Sequence, residues 1–169
     1  MTDVIYRLNL ERLVRERTGE TVLNGSADHA SLINECMFAH AHKKIDILSR
    51  RLSPEIFGTP SIVEAMNAFA RKPGCQLRIL VEELAHENVE KHPILTKLDH
   101  ATSGEVRKIP QAVAEQVDVN FTTMDEDSYR FEQDKRKAVA VAAFGDREGF
   151  TKQLSAYFDN IWEVSESFH

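Results

Sequence analysis

Cysteine, tryptophan, proline and glycine are all scarce in this chain: two, one, five and seven residues in 169. Cys36 and Cys75 form neither a disulfide framework nor a zinc-binding pattern. Each is expected to pack as a small apolar residue in a reducing compartment. No apolar run approaches the ~20 residues that cross a bilayer, so a membrane partner is not expected. The opening MTDVIYRLNLERLVRER has none of the three regions of a signal peptide, and the predicted location is cytoplasmic. Basic charge is also short. Lys and Arg number 21 against 27 Asp and Glu, giving a net charge of -6 and a pI near 5.6. That excludes a broad basic footprint, and nucleic acid is not an expected partner. Repeats and low-complexity linkers are absent. The 42% hydrophobic content suffices for one core, so residues 1–169 are expected to form a single domain, with 1–25 an N-terminal extension and 26–169 the core.

What is present alternates between two periods. Residues 3–8 suggest an extended start. Asn24-Gly25-Ser26 is a turn, and Ser26 or Asp28 caps a helix over 28–43 carrying Leu32, Ile33, Cys36, Met37 and Ala41. Ile45 and Ile47 alternate with polar neighbours in a strand ending near Arg50. Ser61 and Glu64 suggest a capping box for a helix that Lys72-Pro73-Gly74 stops. Gln76–Glu82 is the plainest strand. His92-Pro93 predicts a helix through Leu95 and Leu98, and Val106–Pro110 an edge-like segment. Strands over 117–123 and 138–144 are expected to pair antiparallel. Asp146 or Thr151 caps a last helix that buries Phe150, Leu154, Phe158, Ile161 and Trp162. This order predicts an α/β fold with a mixed sheet flanked by helices.

INECMFAHAHKKIDILSRRLSPEIF, the helix over 61–72, QLRILVEE, and the ending FGDREGFTKQLSAYFDNIWEVS together resemble a phospholipase D-like domain over residues 28–165. More narrowly, RRLSPEIF, His92 before ILTKL, and an Asp followed by Tyr-Arg resemble a bacterial phospholipase D-like group of unknown function. The resemblance implies a motif H-x-K-x-x-x-x-D, whose His attacks a phosphodiester and whose Lys stabilises charge. With Asp125 on the motif's Asp, Asp118 falls on the His and Asn120 on the Lys. Asp118 is a poor nucleophile towards a phosphate of like charge, and Asn120 brings no charge. Residues 111–128 contain no His, Lys or Arg, so shifting the alignment does not restore the motif. The implied state is a degenerate motif with no catalytic residues. The resemblance also implies a two-fold homodimer running past residues 118–132, for which Phe121, Met124, Tyr129 and Phe131 are candidate anchors, or else they fill the domain's own core.

Outside the motif, Arg50 and Arg51 follow a strand end, where α/β sheets face their ligands. They are candidate anion-binding residues, or else surface ion pairs. Tyr129, Arg130, Glu132 and Asp134 either rim the vacated site or form a solvated, salt-bridged hairpin. Lys135-Arg136-Lys137 is basic but has no interleaved aromatic platform. His40, His42, His86, His92 and His100 match no metal-ligand spacing, so neither metal nor cofactor is expected. The expected function is a non-catalytic phospholipase D-like binding or scaffold module with a protein partner. The alternatives are a small-anion or nucleotide sensor, or a phosphodiesterase holding a divalent metal on Asp118, Asp125 and Glu132.

Overall fold

Two parallel strands with apolar residues at alternate positions form the centre of the molecule. KIDILS buries Ile45 and Ile47 on one face and Leu48 on the other, and QLRILV buries Leu77 and Ile79 beside Leu80 in the same way. A sheet buried on both faces needs a helical layer on each side. The computed structural model, which describes residues 2–84, 86–89, 91–98, 102–137 and 139–168, has those layers.

In chain order the elements are α1 (Thr2–Glu16), β1 (Thr21–Asn24), α2 (Ala27–His40), β2 (Lys44–Ser49), α3 (Pro54–Phe57), α4 (Pro60–Arg71), β3 (Gln76–Val81) and α5 (His86–Val89). A 3-10 turn (Leu95–Lys97), β4 (Glu105–Lys108), α6 (Gln111–Ala114), β5 (Asn120–Met124), β6 (Ser128–Glu132), β7 (Ala140–Phe144), α7 (Phe150–Val164) and β8 (Glu166–Ser167) follow. The eight strands run β1-β7-β6-β5-β2-β3-β4-β8. β2, β3 and β4 are parallel, and every other pairing is antiparallel. Leu10, Leu13 and Val14 of α1, Ile33 and Met37 of α2, and Phe69 of α4 pack on the Ile45/Ile47 face. Leu154, Phe158 and Trp162 of α7 pack on the Leu48/Leu80 face with Phe121. The mixed sheet flanked by helices agrees with the fold expected from the sequence.

Several local expectations are corrected. Residues 3–8 are helical, within α1. The strands at 120–124 and 140–144 do not pair, because β6 lies between them. Val139 precedes β7, and Ala138 lies outside the described residues. The cap of α4 is Thr59, whose side chain accepts from the Ile62 N–H, with Pro60 at the first turn. No helix follows His92-Pro93 beyond the 3-10 turn. There the buried His92 ring binds the Leu52 carbonyl at 2.7 Å and accepts from the Ile94 N–H at 3.1 Å. The N-cap of α7 is Gly149, while Asp146 accepts from the Thr151 N–H at 2.8 Å. Ser26 does cap its helix, accepting from the His29 N–H at 3.1 Å.

The turn after α1 is fastened to the end of β7. Gly19 N–H donates to the Phe144 carbonyl at 2.6 Å. Gly145 has φ +85, and a Cβ there would lie 2.1 Å from the Arg17 carbonyl oxygen. That backbone has no room to give. Gly145→Ala is therefore expected to destabilise the fold by ~3 kcal/mol or more. A urea titration followed by circular dichroism would check this, and an unchanged midpoint would refute the close approach.

Candidate functional site

The site grows from the ends of three neighbouring strands. β2 ends at Ser49, β5 begins at Asn120 and β6 ends at Glu132. Antiparallel pairing of β5 with β2 and β6 brings these ends to one edge of the sheet. A cavity of about 260 Å³ opens there. Arg50, Arg51, Arg130, Lys135, Arg136 and Lys137 line it, against the carboxylates Glu55 and Glu132. Cations thus outnumber acids here, in a chain of net charge -6.

Arg130 and Glu132 are neighbours on one face of β6 and are only 3% and 4% exposed. Their side chains bond at 2.8 Å. Asn120 Nδ2 donates to the second Glu132 oxygen at 2.9 Å, and Asn120 Oδ1 accepts from the Arg50 N–H at 2.9 Å. Arg130 Nε donates to Asn24 Oδ1 at 3.3 Å. Thr122, opposite Arg130, donates to Asn34 of α2 at 2.8 Å. Arg130 Nη2 and Arg50 Nε are buried with no partner. Lys135 crosses to the end of β3 and binds both Glu82 oxygens, at 2.7 and 2.9 Å. Its carbonyl accepts from Asn120 Nδ2 at 3.4 Å. The segment after β6 is thereby strapped over the strand ends.

Arg50 and Arg51 share one carboxylate, Glu83, at 3.2 and 2.9 Å. The Arg51 hydrogen bond, aided by Arg50, holds that carboxyl below its usual range. These two residues are therefore ion-paired, while both also line the cavity. The solvated-hairpin alternative fails for Arg130 and Glu132, which are buried inside the sheet, and holds for exposed Arg136 beside Asp134. Tyr129 and Phe131 face the other side, edge-on to Phe150 of α7 at 4.9 and 5.1 Å. Phe121 and Met124 are buried in the two cores. All four candidate dimer anchors are thus engaged within the chain, and an interface built on them would first have to open those contacts.

The three motif positions do not converge. Asn120 lines the cavity, whereas Asp118 is exposed and lines an adjoining groove with Leu23 and Val139, which shares Arg136 and Lys137 with the cavity. Asp125 lies beyond the opposite end of β5, in the hairpin turn, at φ +56. Its carboxylate accepts from the N–H groups of His42, Lys43 and Lys44 at 3.0, 2.8 and 3.1 Å, and from Arg17 at 3.2 Å. The proposed metal trio of Asp118, Asp125 and Glu132 is therefore spread over both ends of the sheet. Among the described residues no three His, Cys, Asp or Glu side chains form a metal-binding group. His40 is half-buried and His42 exposed; His100 and the side chain of His86 lie outside the described residues.

Asn24 and Glu82 are absent from the site residues expected from the sequence. Asn24 reads as a turn former, and its burial beside Arg130 depends on β1 pairing with β7 across more than a hundred residues. No local signal marks that contact.

Comparison with known proteins defines the class first. The fold is similar to NucT from Helicobacter pylori, with a TM-score of 0.66 at 14% identity over 88% of this chain and 98% of that one. It is similar to Nuc from Salmonella typhimurium, a phospholipase D family member, with a TM-score of 0.58 at 12% identity over 88% and 98%. It is also similar to TrmBL2, an archaeal chromatin protein with a novel mode of DNA binding, with a TM-score of 0.62 at 14% identity over 98% of this chain and 60% of that one. The fold is phospholipase D-like. The chain belongs to the family described as a domain of unknown function (DUF7931), whose model matches residues 26–169. No curated protein matches it. Among the described residues no helix is long and apolar enough to cross a membrane.

Burial alone would raise the Asp125 carboxyl, but the three backbone N–H groups and Arg17 together hold it below the ordinary value. A depressed folded pKa stabilises the native state above the unfolded carboxylate value of ~3.9 and loses that contribution as pH falls through the folded value. Asp125→Asn should cost ~2 kcal/mol at pH 7 and flatten the acid limb of the stability profile. Urea midpoints from pH 7 to pH 3 would show it, and parallel wild-type and variant profiles would refute it.

Proposed function

We propose that this chain is a non-catalytic phospholipase D-like binding module whose cavity takes a compact anionic ligand. The observation that carries the proposal is Arg130, 3% exposed, lining the cavity with one guanidinium nitrogen unpartnered. A buried donor without an acceptor is costly, and a ligand oxygen supplies what is missing. Arg50 and Arg51, two cations on one carboxylate, leave positive potential at the same place.

The non-catalytic half rests on the side chains aligned with the motif. Aligned by Asp125, the His and Lys of the phospholipase D-like motif H-x-K-x-x-x-x-D correspond to Asp118 and Asn120. Neither supplies a nucleophile of near-neutral pKa or a cation beside phosphorus. A module that binds without turnover is suited to signalling occupancy to a protein partner. TrmBL2, a DNA binder among its structural neighbours, makes an oligonucleotide phosphate one ligand form worth testing.

Thermal unfolding of the purified protein with phosphate, pyrophosphate, a nucleotide or a single-stranded oligonucleotide tests this. At a hundredfold excess over Kd the stabilisation is ~2.7 kcal/mol, a rise in Tm of roughly 5–10 °C. Glu132→Gln removes the internal carboxylate that competes for Arg130 and Asn120, and affinity should rise about tenfold. Flat titrations of both proteins would sink the anion site. Phosphodiester turnover that a substitution in this chain abolishes would sink the non-catalytic half.

A further inference from the structure

One wall of the cavity turns on a single backbone residue. Arg50, Arg51 and Ser53 line the cavity on either side of Leu52. Leu52 is fully buried at φ +51, a left-handed conformation that a leucine keeps only where its surroundings hold it. Two hydrogen bonds do so. Its N–H donates to Ser49 Oγ at 3.0 Å, and its carbonyl accepts from His92 Nε2 at 2.7 Å. His92 lies forty residues further on, is 5% exposed, and accepts from the Ile94 N–H at Nδ1, at 3.1 Å.

These partners fix the protonation of the ring. A carbonyl only accepts and a backbone N–H only donates, so Nε2 carries the proton and Nδ1 is bare. A second proton has to go on Nδ1, where it meets the Ile94 N–H, donor against donor. The charged ring would also be buried without a carboxylate. Among the described residues its partners are those two backbone groups. The charges nearby are committed elsewhere or face solvent. Arg50 and Arg51 pair with Glu83, and Glu82 with Lys135. Glu55, Lys91 and Lys97 are exposed, while the side chains of His86 and Glu87 lie outside the described residues.

We propose that His92 is a pH-sensitive latch on the cavity wall. In its neutral form it pins Leu52. On protonation at Nδ1 the ring leaves for water, which opens the turn over 92–95 and releases the segment over 50–53. Burial holds the ring's pKa below its ordinary value, and the bond to the Leu52 carbonyl offsets part of that. The open form titrates like an unfolded histidine, at ~6.5. Between the two values the open form binds more protons. The closed form therefore has its full stability above pH ~6.5 and loses it progressively as pH falls below that value. The latch acts on the wall whether or not an anion occupies the cavity.

Amide hydrogen exchange of the full chain, corrected for intrinsic rates and compared at pH ~7.5 and ~5.5, tests this. Opening of residues 49–57 and 92–98 should be about tenfold more frequent at the lower pH. His92→Gln keeps an N–H for the Leu52 carbonyl and does not titrate, so its exchange there should be equal at both pH values. Ring nitrogen shifts followed by NMR over the same range should show the Nε2–H tautomer and a titration below ~6.5. Wild-type exchange that ignores pH overturns the latch. A pH response that His92→Gln retains belongs to another group, such as half-buried His40, and overturns it as well. Should the variant fail to fold, the nitrogen shifts decide. An Nδ1–H tautomer, or a ring that titrates at or above ~6.5, refutes the proposal. None of these readouts uses a ligand, so the latch and the anion site fail separately.

Discussion

A charged pair buried inside a sheet constrains everything around it. Arg130 and Glu132 lie on β6, between β5 and β7, each less than 5% exposed. Removing an ion from water costs several kcal/mol even after relaxation, so both partners must be closely matched and further hydrogen-bonded. Asn120 and Asn24 provide those bonds from the strands on either side of the β6–β7 pair. β7 places the buried, small Ala142 opposite Arg130. Truncating one partner would strand the other charge, so the strand order and the polar cluster stand or fall together.

The same pair explains what a linear reading can and cannot find. β2 and β3 are legible because their apolar residues alternate and both faces are buried. SYRFE alternates too, but its inward positions are Ser128, Arg130 and Glu132. Tyr129 and Phe131 face α7 while the charged positions fill the opposite, buried face, so a central strand reads as a polar connection. α1 fails for a related reason. It buries Leu10, Leu13 and Val14 yet exposes Val4, Ile5 and Leu8 at more than 60%, so no single apolar stripe marks it. His92 is held by Leu52, forty residues away, and the turn it organises leaves no periodic trace. Of the site, Arg50 and Arg51 are legible as cations after a strand end, and Arg130 as a cation in a polar segment between strands. Asn24 is not, because its contact with Arg130 depends on β1 pairing with β7.

The position of Asp125 separates two things that a motif usually combines. Its carboxylate collects three backbone N–H groups at the start of β2 and the guanidinium of Arg17. That arrangement fastens the β5–β6 turn to the start of β2 and to the end of α1. This carboxylate therefore serves the fold, at the end of β5 away from the cavity. Asn120 at that other end is equally occupied, bridging the Arg50 backbone to Glu132. Asn120→Lys would add a cation beside Arg130 while removing the acceptor of the Arg50 N–H. A single substitution there therefore disturbs several groups at once, because they already hold one another in place.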